Sequence, residues 1–169
     1  MKKLDYVPTG KQDIIKYYGN PDPDEDGNFN SAFWERQMEK FALPYPMVIG
    51  WKPEKRVEQI WMHRKIGAVV VDALDEIGTY MSGDPQYLVR NGLNKYWGCF
   101  AFRFQRGANV YSTHSWGIAI DLNRHLGDLG EQPEQPEWFV GAFKRRGFIW
   151  GGDWKKRPDG MHFQACRGY

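Results

Sequence analysis

Ser112-Thr113-His114-Ser115-Trp116-Gly117-Ile118-Ala119-Ile120-Asp121-Leu122 decides how this chain folds and where its chemistry sits. After Gly117 the residues alternate, as a strand buried on one face requires. Ile118, Ile120 and Leu122 point one way, into a core, while Ala119 and Asp121 point the other way. A rigid strand thus presents a carboxylate beside a small residue that leaves room. Gly117 permits a sharp turn, so His114 can fold back towards Asp121.

A second segment repeats the pattern. In Asp159-Gly160-Met161-His162-Phe163-Gln164-Ala165, Met161, Phe163 and Ala165 read as core, and His162 and Gln164 share the opposite face. Two strands then offer His114, Asp121 and His162 to one surface. Two imidazoles and a carboxylate, with a fourth position open to water, are a catalytic zinc set. Asp159, three residues before His162, stands where a general base would be useful.

The flanking sequence is read outward from these strands. Residues 9–19 predict a short helix with capping-box spacing between Thr9 and Gln12. Asn20 to Asn28 is an acidic, Pro/Gly-rich surface loop whose spacing does not match a twelve-residue calcium loop. Asn30 to Phe41 predicts a second helix, broken by Leu43 to Pro46. A long helix is expected from Pro53–Glu54 to Gly83, with Val57, Ile60, Trp61, Val70, Leu74, Ile77 and Met81 as its apolar stripe. His63 is placed on its solvated face. From Lys95 onward come short strand-like runs, interrupted by a helix from Pro136 to Arg146 that Gly147 ends. Helices first and a small antiparallel sheet afterwards make an α+β fold. One catalytic domain over residues 1–169 is expected, with 19 Gly and 10 Pro favouring loops over a helical bundle.

Composition removes several function classes. A net charge of +2 does not suggest a nucleic-acid partner. No stretch approaches the roughly 20 apolar residues of a membrane span, so no stable membrane association is expected. Cys99 and Cys166 have no CxxC spacing, which excludes a disulfide scaffold and cysteine-rich zinc binding; both are expected to be free and buried. The opening MKKLDYVPTGKQDII lacks the apolar run of a secretory signal, which predicts synthesis in the cytosol.

The two motifs together resemble a known family. Ser112-x-His114-x-x-Gly117-x-Ala119-x-Asp121, followed by Asp159-x-x-His162-Phe163, is similar to the zinc D-alanyl-D-alanine carboxypeptidases and L-alanyl-D-glutamate endopeptidases. These share the fold of the DD-peptidases and the hedgehog signalling domain. Gly147 to Trp154 resembles the stretch before the second motif in phage-type endopeptidases, and Phe102 to Gly107 resembles the family's arginine-bearing segment. The resemblance implies a zinc ion on His114, Asp121 and His162, Asp159 as catalytic base, and Arg103 as stabiliser of charge on the scissile carbonyl oxygen. Arg106 is the rival for that last role, and Asp153 the alternative base. The carboxypeptidase branch often has Glu where this chain has Asp159, which favours the endopeptidase branch.

The implied substrate is the stem peptide of bacterial peptidoglycan, cut by a monomer. An endolysin-type enzyme released through a holin pore or carried in a virion fits the missing export signal. A terminal D-alanine carboxypeptidase is the alternative, and a non-catalytic hedgehog-like zinc module is the alternative of another class. Trp116, Trp150 and Trp154 are each expected either to wall the groove or to pack in the core.

Overall fold

A computed structural model describes residues 1–80, 84 and 86–168. In chain order the main elements are α1 (Lys11–Tyr18), α2 (Ser31–Gln37), β1 (Met38–Ile49), β2 (Lys52–His63), α3 (Arg64–Tyr80), α4 (Tyr87–Arg90), β3 (Lys95–Gly98), β4 (Ala119–Leu122), α5 (Glu137–Lys144), β5 (Ile149–Trp150) and β6 (His162–Gln164). The strands form one six-stranded sheet in the order β2-β1-β3-β4-β6-β5. All pairs are antiparallel except β1 with β3, which is parallel. The α+β expectation therefore holds, with one parallel pair in a sheet expected to be antiparallel throughout.

The largest correction concerns residues 38–63. Where the sequence predicts the end of one helix and the start of another, the chain forms a long hairpin, with Met38 opposite His63 and Phe41 opposite Ile60. The reason is that Val57, Ile60 and Trp61 fit helical spacing over too few residues to be decisive, whereas pairing with β1 satisfies the backbone of both strands. Near its end β2 alternates as a strand should: Ile60 and Met62 are buried and Trp61 is exposed. Pro53 is tolerated because β2 lies at the sheet edge. Pro44 and Pro46 fall where the β1–β2 register shifts between Ala42 and Met47, so no ladder bond is demanded of them. The expected helix survives only as α3, whose buried Ile66, Val69, Val70, Ala73, Leu74 and Ile77 recur at helical spacing. Its expected end near Gly83, and Met81 in its stripe, lie outside the described residues.

Smaller elements follow their sequence signals, with two changes. Helix α1 forms without the Thr9–Gln12 capping box; instead the Asp13 carboxylate accepts from the Thr9 N–H at 2.8 Å and from the Tyr6 hydroxyl at 2.7 Å. The 20–28 loop is anchored rather than merely surface-borne. Asp22 is buried and accepts from the Tyr111 hydroxyl at 2.6 Å and the Gly27 N–H at 3.2 Å. In α2 the Asn30 side chain caps the Phe33 N–H at 3.1 Å.

Helix α5 packs across α3, and Arg146 just beyond it locks the two together. Its guanidinium is 3% exposed and donates to the Asp72 carboxylate at 2.8 Å, the Glu76 carboxylate at 2.7 Å, and the Ala142 and Asp72 carbonyls. Strand β6 is held from the same side. Phe163 is fully buried, stacks on Phe143 with ring centroids 4.4 Å apart, and contributes roughly 1.5–3 kcal/mol by its burial. That anchoring fixes which way its neighbours His162 and Gln164 must point.

Candidate metal and catalytic centre

Asp121 and His162 sit directly opposite one another on β4 and β6. Cross-strand partners on one face lie within side-chain reach, so strand pairing alone brings the carboxylate to the imidazole. The His162 Nδ1 lies 2.8 Å from Asp121 Oδ1. His114 arrives from a short 3-10 turn, Thr113–Trp116, capped at its start by the Ser112 hydroxyl. Gly117 ends that turn at φ 65°, and a Cβ there would meet the Met38 side chain at 2.6 Å. The turn swings His114 back over β4 until its Nε2 is 3.2 Å from Asp121 Oδ1.

One donor atom from each of these residues lies within 4.8 Å of the others, all three residues being buried. The rings are held in the orientation a metal would need. His114 Nδ1 is 2.7 Å from the Cys99 carbonyl, so it carries the proton and leaves Nε2 free to ligate. Gln164 donates from Nε2 to the Cys166 carbonyl at 3.1 Å, which fixes its Oε1 as an acceptor 3.0 Å from His162 Nε2. His162 therefore presents Nδ1 to the centre. Such outer partners orient metal ligands in known sites. By donor type, separation and tautomer the set fits zinc.

Asp121 and His162 also perturb one another's ionisation. Burial opposes ionisation of Asp121, but the His114 and His162 imidazoles outweigh it and hold the carboxyl well below the usual range. Burial likewise disfavours the charged His162, and the Asp121 carboxylate overcomes it, raising the imidazole. Asp159 behaves differently. Burial, helped by the negative charges of Asp121 and Asp128, pushes its carboxyl up to about 6. Its Oδ1 is buried and without a hydrogen-bond partner among the described residues. A carboxylate held this way is a recurrent signature of a functional acid or base.

The backbone around Asp159 depends on Gly151, whose carbonyl accepts the Asp159 N–H at 2.9 Å. A Cβ on Gly151 would come within 2.6 Å of the Asp159 carbonyl and 3.0 Å of its Cβ. A cavity of about 820 Å³ opens over the centre, lined by His114, Asp121, Asp159 and His162 together with Trp97, Trp154 and several arginines.

His114, Asp121, His162 and Asp159 share the cavity wall with Arg103 and Arg106. Arg103 is tied by its backbone to the first motif: its N–H donates to the Ser115 hydroxyl at 3.1 Å, and its carbonyl accepts from the Ser112 N–H at 2.9 Å and from that same hydroxyl at 3.0 Å. Asp153 does not line the cavity; it pairs with Lys144 at 2.6 Å on the surface. Of the three tryptophans only Trp154 lines the cavity, its ring 5.4 Å from that of His162. Trp116 is core, its indole N–H donating to the Gly19 carbonyl at 2.8 Å, and Trp150 packs beside Phe163. Cys99 and Cys166 are free and buried, as expected, and burial pushes both thiols up.

His63 is the other correction. It is fully buried rather than solvated, with Nε2 3.0 Å from the Tyr18 carbonyl, and burial pushes its imidazole down to about 4. Gly151 and the Cys99 carbonyl join the site without having been expected there, and Gln164, expected on the His162 face, takes an orienting role that had not been assigned to it. The two-residue spacing of Gln164 from His162 on one strand face was a usable signal; a backbone carbonyl carries none.

Residues 106–165 match the family model of the D-alanyl-D-alanine carboxypeptidases. The matched segment carries all three candidate ligands and Asp159, and it ends before Arg167. This carboxypeptidase match supports a hydrolase of a zinc peptidase family that acts on peptidoglycan. No solved structure matches the chain. Among the described residues no helix is long and apolar enough to cross a membrane.

Proposed function

We propose that the protein is a zinc-dependent endopeptidase cutting the L-alanyl–D-glutamyl bond of peptidoglycan stem peptides, in an endolysin-type role. The observation that carries the hydrolytic reading is the buried Asp159 carboxyl, whose Oδ1 has no partner among the described residues, in one cavity with the His114–Asp121–His162 set. The endopeptidase branch is favoured by Asp at position 159 and by the resemblance of residues 147–154 to phage-type enzymes.

His114, Asp121 and His162 would hold zinc, which would supply a Lewis acid and lower the pKa of a water to about 7. Asp159 takes the proton from the attacking water as the new C–O bond forms. Arg103, held by Ser112 and Ser115, meets the negative charge that develops on the carbonyl oxygen. When the C–N bond breaks, Asp159 passes the proton to the departing amine. Trp154 walls the site on the His162 side. Gln164 and the Cys99 carbonyl hold the two imidazoles in one tautomer throughout.

A terminal D-alanine carboxypeptidase is the second reading, favoured by the description of the matching family. A purely binding module has no use for a buried carboxyl at the centre whose Oδ1 has no partner among the described residues. Digestion of purified muropeptides followed by mass analysis separates these. Loss of the whole peptide beyond L-alanine is expected. Loss of a single D-alanine supports the second reading, and new reducing sugar ends would exclude both.

A further inference from the structure

The charged wall of the cavity is unbalanced. Arg103, Arg106, Arg124, Arg157 and Arg167 line it, against the carboxylates of Asp121 and Asp159. Most of these arginines have an assignment nearby. Arg124 is paired with Asp128, its Nε donating at 2.6 Å, and its guanidinium lies over the Trp97 ring. Arg157 donates to the Arg106 carbonyl at 3.2 Å. Arg103 stands beside the reacting carbonyl in the mechanism above, and Arg106, on the same wall, is the rival for that role.

Arg167 is left over, and its backbone is firmly held. Its N–H donates to the Pro8 carbonyl at 2.8 Å, and its own carbonyl accepts from the Gly10 N–H at 2.9 Å. Thr9 and Arg167 thus form a parallel bridge, pinning the residue beyond β6 to the N-terminal segment. The preceding residue, Cys166, is fully buried and is held by Gln164, the residue that orients His162. Among the described residues no carboxylate pairs with the Arg167 guanidinium. Its neighbour Gly168 also lines the cavity, without a side chain to fill the space.

An exposed guanidinium with no carboxylate partner among the described residues, on a pinned backbone and in a cavity with excess positive charge, is suited to an anionic ligand group. We propose that Arg167 is a specificity-determining residue that binds a carboxylate of the substrate peptide. This rests on the endopeptidase reading, in which the group is the free α-carboxylate of the D-glutamyl residue beyond the scissile bond. The planar fork of a guanidinium matches a carboxylate in a two-point contact, which an ammonium does not reproduce. The N-terminal segment then has a role of its own, since it positions Arg167 from outside the part of the chain that the family model covers.

The test is calorimetric binding of two uncut peptides to the zinc-loaded full chain carrying Asp159→Asn. One is L-alanyl-γ-D-glutamyl-L-lysine with its D-glutamyl α-carboxylate free; the other carries a carboxamide there. The free acid should bind about ten-fold or more tightly than the amide, the value of a charge-assisted hydrogen bond. Adding Arg167→Gln should remove that preference, weakening the acid by the same factor and leaving the amide unchanged. Arg167→Lys should restore only part of it. Equal affinity for both peptides, or equal loss on both in Arg167→Gln, overturns the proposal, as does the absence of binding by either. Failure of the endopeptidase reading looks different: the parent with Asp159 intact leaves both peptides uncut while the affinity difference persists.

Discussion

Replacing Asp159 by Asn separates chemistry from metal binding, because the two side chains are nearly equal in size. Asp159 is 7% exposed, and its Oδ1 has no partner among the described residues. The change therefore breaks no hydrogen bond to Oδ1, and the Asp159 N–H keeps its bond to the Gly151 carbonyl. The three candidate ligands are untouched. What is lost is the proton acceptor, and general-base catalysis is worth roughly 10²–10⁴-fold. The variant should be folded and zinc-loaded, with kcat on muropeptides down by about that factor. Thermal melting and elemental analysis check the first two statements, and turnover the third. Asp153→Asn is the control: its exposed pair with Lys144 is worth only about 0–1 kcal/mol, and activity should be retained. If Asp159→Asn stays within severalfold of wild type while Asp153→Asn is inactive, the base has been misassigned. If both remain active, the hydrolytic mechanism fails.

Further variants of the same protein probe the ligand geometry, the loop at Asp159 and the α3–α5 clamp. Gln164→Leu removes the acceptor that orients His162, and should weaken zinc affinity by about 10–100-fold in a competition with a chelator, with the fold retained. Gly151→Ala forces a Cβ against the Asp159 carbonyl, so activity should fall while zinc stays bound; unchanged turnover would show that this loop has no part in placing the base. Arg146→Ala should cost about 3–5 kcal/mol in denaturant unfolding, because the guanidinium is buried with every partner satisfied. The same clamp sets an acid limit. Burial works against ionised Asp72 and Glu76, but their hydrogen bonds and the Arg146 charge win and lower both carboxyls. Groups lowered in the folded state contribute stability above their unfolded values of about 4, and that contribution disappears as pH falls through the folded ones. Wild type should thus lose stability below about pH 4 more steeply than Arg146→Ala in acid titration of the melting temperature.

The centre is legible in the sequence because its residues lie on short strands with clean alternation. Ile118, Ile120 and Phe163 announce a buried face, so Asp121 and His162 have to share the other. Strand pairing then sets them opposite each other without help from distant parts of the chain. The hairpin of β1 and β2 is hidden for the converse reason. Its pairing joins residues up to 25 apart, and its exposed half shows no alternation for a sequence to reveal. Trp61 at helical spacing from Val57 is a coincidence that only the partner strand removes. His63 goes astray with the hairpin: at the end of β2 it faces α1, and the Tyr18 carbonyl that receives it is 45 residues away. Arg146 looks in the sequence like a charge suited to a helix end, while its partners Asp72 and Glu76 sit 70 residues or more earlier.

Everything proposed for the centre depends on the metal, and zinc content per chain measures it. Wild-type protein, purified without chelator and dialysed, should hold about one zinc by elemental analysis, as a site with two imidazoles, one carboxylate and an open position requires. His162→Ala leaves Asp121 opposite an alanine on β6, and should hold little or none. Full occupancy in that variant would contradict the ligand assignment and the mechanism built on it.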